Sequence, residues 1–464
     1  MKTIHSQIFV TVFVCCLALS QNSPAVIPPP DGGYPNFTTA EGQNALFNLT
    51  TGSANTAVGW FSLSSNAEGS FNTATGAGSL LFNTADANTA CGAAALLFNN
   101  SGFQNTAVGA AALLNNTDGT SNTATGAFAL SNNTTKGGNT ATGARALFSN
   151  TTGSYNTANG AFALESNTTG SGNAANGSQT LRENIIGSNN TANGFLALYH
   201  NTADGNTATG YGALSANTTG QNNTANGLRA LEVNTTGSAN TAAGVFALFH
   251  NTSGSSNTAI GGAALANNIS GVLNVALGDN AGGSVITANN VITIGTGVAG
   301  EDVSNTCYIG NIFGVTSPGG TGVFVNSDGK LGTGTSSRRF KDDIKPMDQT
   351  SEAILALQPV TFRYKKDIDP ARRSHFGLVA EDVEKVNPDL VVHDKEGEPY
   401  TVRYDQVNAM LLNEFLKEHR TVQELKKEIA ALASTVKQQA AQIQKVTGQI
   451  EASKATSEIV LNGQ

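Results

Sequence analysis

Charge is scarce in this chain. Only 12% of its 464 residues are charged, about half the usual share, so ion pairs cannot be what holds most of it together. Between residues 21 and 335 the only basic side chains are Lys136, Arg145, Arg182, Arg229 and Lys330. With a net charge of −8, this leaves no basic footprint for nucleic acid. Cysteine is nearly missing. Two of the four are Cys15 and Cys16; the others, Cys91 and Cys307, are too few for a disulfide framework and read as small core thiols. After the first twenty residues no apolar run is long enough to cross a bilayer, so the mature chain is expected to have no membrane span. Aspartate-rich nonapeptides are absent, which argues against calcium in the repeats. No metal and no cofactor is expected.

Glycine, by contrast, is abundant at 52 residues, and it recurs with asparagine, threonine and alanine at a fixed spacing. Residues 1–20 come first and read as a secretory signal peptide, with Lys2, an apolar run from Ile8 to Leu19, and small residues at Ala18 and Ser20. The chain is therefore expected to be secreted or at the cell surface. Residues 21–37 form a proline-rich, extended leader around Pro24 and Pro28 to Pro30.

Residues 38–284 repeat themselves. Units begin at Asn55, Asn72, Asn88, Asn105 and onward to Asn257, in steps of 17 residues, twice 16. Every unit keeps Gly four residues on, Leu eight on and Asn eleven on. A fixed period of this length is the mark of a solenoid. β-branched Thr suits a strand, and the Gly suits a backbone position that other residues would strain. Two short strands and two bends per coil are expected. Stacking would put Leu63, Leu80 and Leu96 in one column and Ala57, Ala74 and Ala90 in another. Asn55, Asn72 and Asn88 would form one amide ladder, and Asn66, Asn83 and Asn99 a second. At the strand spacing, about fourteen coils make a rod on the order of 65 Å long. Each coil has little to bury, so several chains are expected to share a core. The Asn-x-Ala-x-Gly-x-x-Ala pattern resembles the head of trimeric autotransporter adhesins, a left-handed parallel β-roll of which three copies associate. That resemblance implies an architecture, not a ligand. Rows of Thr56, Thr73 and Thr89 also resemble ice-binding solenoids, although strand propensity and solvation explain them. The Asn-x-Thr triplets arise from the repeat itself. Residues 285–335 are expected to cap the roll and connect it onward.

The composition changes at Ser336. From there on the chain carries nineteen basic residues. Ser336 stands five residues before Lys341. A serine hydroxyl attacks only when something takes its proton, and a neutral lysine is able to do so. Residues 336–410 read as a small α+β domain, 411–455 as a coiled coil, and 456–464 as a tail. Val422, Ile429, Val436, Ile443 and Ile450 sit seven apart, with Leu425, Leu432, Gln439 and Val446 at the other seam position.

Ser336-Ser-Arg-Arg-Phe-Lys-Asp-Asp-Ile344, Leu357-Gln-Pro-Val-Thr-Phe-Arg-Tyr364, His375-Phe-Gly-Leu-Val-Ala-Glu-Asp-Val383 and Val402-Arg-Tyr-Asp405 resemble, in order and spacing, the C-terminal intramolecular chaperone of phage endosialidase tailspikes. The resemblance implies a domain that trimerises, guides the upstream fibre to fold, and then cuts itself off. Carried over, Ser336 is the nucleophile, Lys341 the base, and Thr335–Ser336 the bond cut. His375 is a candidate auxiliary group. The enzyme would act once, on its own chain, and not in trans. The whole is expected to be mostly β: a parallel β-roll, a small chaperone domain and a coiled coil, as a homotrimeric, adhesin-like secreted fibre. The alternatives are an uncleaved surface adhesin, or an ice- or glycan-binding solenoid with a permanent trimerisation module. A host-surface or glycan ligand remains unnamed.

Overall fold

The computed structural model describes residues 35–461. The signal peptide and most of the leader lie outside the described residues, as does the end of the tail. The chain divides into two compact units between Val315 and Thr316.

The first unit is a parallel β-solenoid. Seventeen three-residue strands run from β1 (Thr39–Glu41) to β17 (Cys307–Ile309). Each pairs in parallel with the next in strict register, as in Thr56↔Thr73, Ala57↔Ala74 and Val58↔Thr75. From β2 (Thr56–Val58) to β15 (Val275–Leu277) the middle Ala of each strand points inward and is buried, while its neighbours are more exposed. The outward side therefore carries mainly Thr and Asn.

Each coil has one strand, not the two expected. The stretch from the conserved Gly to the conserved Leu is a run of turns instead. Its residues alternate in handedness: Phe61 and Leu63 sit at φ of 52° and 51°. Their N–H groups point to opposite neighbours. Phe61 donates to Gln43 O of the preceding coil (2.9 Å), Leu63 to Ser79 O of the following one (3.0 Å). This geometry accounts for the choice of apolar residue. The column positions Leu63 through Leu265 are left-handed, and no Val, Ile or Thr has positive φ among the described residues. A β-branched side chain in that region is a steric outlier, whereas Leu is tolerated. The conserved Gly is required by close approach. A Cβ on Gly160 (φ 139°) would lie 2.5 Å from the carbonyl of Gly177.

The core closes within a single chain. The Leu and Ala columns have essentially no exposed surface. The expectation that several chains must share it is thus corrected: the two asparagine ladders supply the rest of the interior. Asn72 Nδ2 donates to Asn55 Oδ1 (3.2 Å), and Asn83 Nδ2 to Asn66 Oδ1 (3.3 Å). The ladders also converge on the backbone. Asn55 and Asn66 both donate to Gly69 O, each at 2.8 Å. Among the described residues no buried side-chain polar atom lacks a partner, so these polar columns avoid the cost of an unmet buried amide.

Two further expectations change. Strand pairing runs past residue 284, through β15 (Val275–Leu277) and β16 (Ile292–Ile294) to β17, so the roll has about sixteen coils and much of the expected cap is roll. Val285, Val291 and Thr293 take over interior places held earlier by Asn and Ala, which hides the motif while keeping the fold. Cys91, in β4 (Thr89–Cys91), and Cys307 are both exposed and free rather than core thiols, because each falls on an outward strand position. They are thirteen strands apart, on the order of 60 Å, and cannot pair with each other in one chain.

The second unit starts with an antiparallel hairpin, β18 (Val323–Val325) and β19 (Leu331–Thr333), closed by a turn in which Asn326 Oδ1 accepts from Lys330 N–H (2.8 Å). A 3-10 run, Asp348–Ala356, follows. Strands β20 (Val360–Phe362) and β21 (His375–Gly377) pair, as do β22 (Val391–His393) and β23 (Pro399–Val402). Helix α1 (Ala380–Val386) ends at Asn387-Pro388, and helix α2 (Tyr404–Leu461) follows β23. A small core of Val383, Leu390, Val391, Val402 and Met410 ties these together. The heptad residues of α2, from Val422 to Ile450, are exposed in the single chain.

Candidate active site

Residues Arg338–Phe340 form one 3-10 turn. Phe340 N–H donates to Ser337 O (3.0 Å) and Lys341 N–H to Arg338 O (3.1 Å). The turn folds the chain back just far enough to bring the two sequence-predicted groups together. Lys341 Nζ donates to Ser336 Oγ at 3.2 Å. That distance lies at the outer edge of the reach needed for proton transfer between a nucleophile and its base. Thr335, whose carbonyl the hydroxyl would attack, is the residue immediately before. Arg339 stacks on Phe340, with its guanidinium 4.5 Å from the ring centre.

Ser336 and Lys341 are both exposed, as is every residue from Thr335 to Lys345. A lysine serves as a base only in its neutral form, and burial is what favours that form. The single chain supplies the pair but not the burial.

His375 is not brought to the pair. It lies between Phe362 and Tyr364, with ring centres 5.6 and 5.2 Å away, and its Nε2 is 4.0 Å from Asp369 Oδ2. It hydrogen-bonds neither Ser336 nor Lys341. The contacts it makes are those of a residue joining β21 to the loop that precedes it.

A polar cluster went unnoticed in the sequence. Ser351 is fully buried; its hydroxyl donates to Glu414 and lies 3.1 Å from Asp348 O, and Asn413 Nδ2 donates to it in turn (2.7 Å). Lys417 Nζ bridges Glu414 (2.8 Å) and Glu352 (3.2 Å). Hydrogen bonds from Lys417 and Ser351 hold the Glu414 carboxyl below its ordinary range. The cluster fastens the 3-10 run that follows the Ser336–Lys341 segment to the first turns of α2. The partners are some 62 to 65 residues apart, and no local spacing betrays them.

Among the described residues no group of His, Cys, Asp or Glu is placed to hold a metal ion. No described helix is long and apolar enough to cross a membrane.

Residues 336–392 match the family described as the chaperone of endosialidase. The match begins at Ser336 itself. No curated protein and no solved structure matches the chain.

Proposed function

We propose that the chain is a secreted, homotrimeric, adhesin-like fibre whose C-terminal unit guides assembly and then removes itself at Thr335–Ser336. The observation that carries this reading is the 3.2 Å approach of Lys341 Nζ to Ser336 Oγ, at the residue where the family match begins. In the proposed step Lys341, neutral, takes the Ser336 hydroxyl proton while Oγ attacks the Thr335 carbonyl carbon. The C–N bond to Ser336 breaks, its nitrogen receives the proton, and Thr335 is left as an ester on Oγ. Water then splits the ester, leaving a carboxylate on Thr335 and a free amine on Ser336. The exposed heptad side chains of α2 call for partner helices. If those partners also cover residues 335–345, burial arms Lys341, and cleavage becomes a readout of correct assembly.

Denaturing gels of the full chain test this. Wild type should give two bands, the smaller starting at Ser336, and Ser336→Ala or Lys341→Ala a single full-length band. A folded wild-type trimer that stays one band would leave the second reading, an uncleaved module, which the exposure of Ser336 and Lys341 in the single chain favours.

A further inference from the structure

The roll has an apolar side that its own core does not use. Each coil shows three outward stretches: the strand, the Gly-to-Leu run with the two residues after it, and the Ser/Thr-rich turn between the two ladder asparagines. Strands and turns are mostly Thr, Ser and Asn. Thirteen of the sixteen aromatic residues between 38 and 284 fall in the Gly-to-Leu stretch. They stack between neighbouring coils in two places, although the coils starting at Asn105, Asn173 and Asn223 have no aromatic residue in this stretch. Phe82 and Phe98 stack with centres 5.7 Å apart and planes 6° from parallel, and Phe195 meets Tyr211 at 5.8 Å. All four remain well exposed.

The charged groups on the same stretch are spent internally. Glu165 takes Arg145 at 2.6 Å and Arg182 at 2.7 Å, and Arg229 pairs with Glu232. The arginines lie over rings of the stripe, Arg145 at 4.3 Å from Phe148 and Arg229 at 5.0 Å from Phe249. Glu183, exposed on the same stretch, meets His200 at 2.7 Å, so three arginines and three glutamates leave the stripe close to neutral.

We infer that this aromatic stripe is the surface through which copies of the roll pack side by side. Three arguments select a copy rather than another partner. The first is period. Coils repeat at the strand spacing of about 4.8 Å, and another copy of the roll repeats at the same rise along its whole length. The second is charge, since a neutral, ring-rich surface faces its own duplicate without repulsion. The third is area. From the coil of Phe47 to that of Phe249 the stripe runs twelve strand spacings, and at a width of about 10 Å it offers on the order of 600 Å² per chain. This reaches the upper end of what a lone monomer usually exposes. It falls short of the about 800 Å² per partner of a free-standing complex. The shortfall matters less once α2 holds the copies together, because tethering turns the contact into an intramolecular one. The inference rests on the proposed association of copies, though not on the cleavage.

The test uses the full chain with all four natural cysteines changed to serine and one cysteine restored. Tyr211→Cys lies on the stripe; Thr142→Cys lies on the outward strand side, and both positions are exposed. A short bis-maleimide should link most Tyr211→Cys chains to one another and leave Thr142→Cys chains single on a denaturing gel. Linking at Thr142 but not at Tyr211 overturns the inference. So does a Tyr211→Cys thiol that reacts freely with a mono-maleimide while sedimentation shows the copies assembled, since the stripe would then be open to some other partner. A monomer mass by sedimentation overturns the association itself and is told apart from both of these results.

Discussion

Replacing Asn133 by alanine tests the claim that buried amides, as much as leucines, build the roll. Asn133 has no exposed surface. Its Nδ2 donates to Asn116 Oδ1 (2.8 Å) and to Lys136 O (2.9 Å), and its Oδ1 accepts from Asn150 Nδ2 (2.9 Å). Alanine removes all three bonds, each with a net value of about 0.5–1.5 kcal/mol. It also leaves Asn116 Oδ1 buried without that donor, at a further cost of about 1–3 kcal/mol. Lys136 O and Asn150 Nδ2 fare better, because each keeps a second partner, Asn122 and Gly153. The expected loss is roughly 2.5–7.5 kcal/mol, against under about 1 kcal/mol for Asn115→Ala, a half-exposed neighbour with a single side-chain bond to Asn132. Native-state hydrogen exchange at the Leu130 and Leu147 amides reports the local opening. Urea unfolding followed by Trp60, the only tryptophan and a roll residue, reports the whole. Combining Asn116→Ala with Asn133→Ala should cost about 1 kcal/mol less than the sum, because the two share a bond. If Asn133→Ala costs no more than Asn115→Ala, the ladder does not carry the load assigned to it.

Leu147→Ile should destabilise the roll by at least about 1 kcal/mol more than Leu147→Met. Both conserve volume, but Leu147 sits at φ 52°, where a branched Cβ clashes; equal urea midpoints would refute the left-handed column. Gly160→Ala should cost more than about 1 kcal/mol, since the new methyl meets the Gly177 carbonyl, and a neutral effect on the thermal midpoint would count against the coil spacing. Asp302 caps the last coils. Partial burial pushes its carboxyl up, but N–H donors from Ile286, Thr287 and Ala288 outweigh this and hold it at about 2, below the ordinary 3.8. Its folded form prefers the charge, so its contribution is complete above pH 3.8 and is lost as pH falls toward 2. Asp302→Asn should flatten the wild-type fall in stability over that window, and an unchanged slope in acid unfolding would discount the cap.

Much of the architecture was legible before any coordinates. The steps of 17 and 16 residues put the same side chain at the same place in every coil. The Leu column, the Ala column and both asparagine ladders could therefore be named residue by residue. The Ser336–Lys341 pair was named only through the resemblance of the motif around it, since the five-residue spacing by itself is uninformative; one 3-10 turn then brings the two side chains into contact. Other features were not legible. Val285, Val291 and Thr293 continue the interior with different letters, so the pattern stops before the sheet does. The Ser351, Asn413 and Glu414 cluster joins segments far apart in sequence, and no periodicity marks it.

Sequence alone determined the repeat and its inward residues from 55 to 268, because coil closure holds the length to 17 or 16 residues and leaves its imprint in each of those units. Tertiary structure decided what each coil does between those fixed points. The alternating handedness of the Gly-to-Leu run replaces a second strand, selects Leu over Ile and Val, and sends Phe82, Phe195 and Tyr211 outward. It decided the cysteines as well, since inside and outside on a three-residue strand differ by one position in phase. Composition carries no record of φ or of that phase; both follow from how each coil hydrogen-bonds to the coils on either side of it.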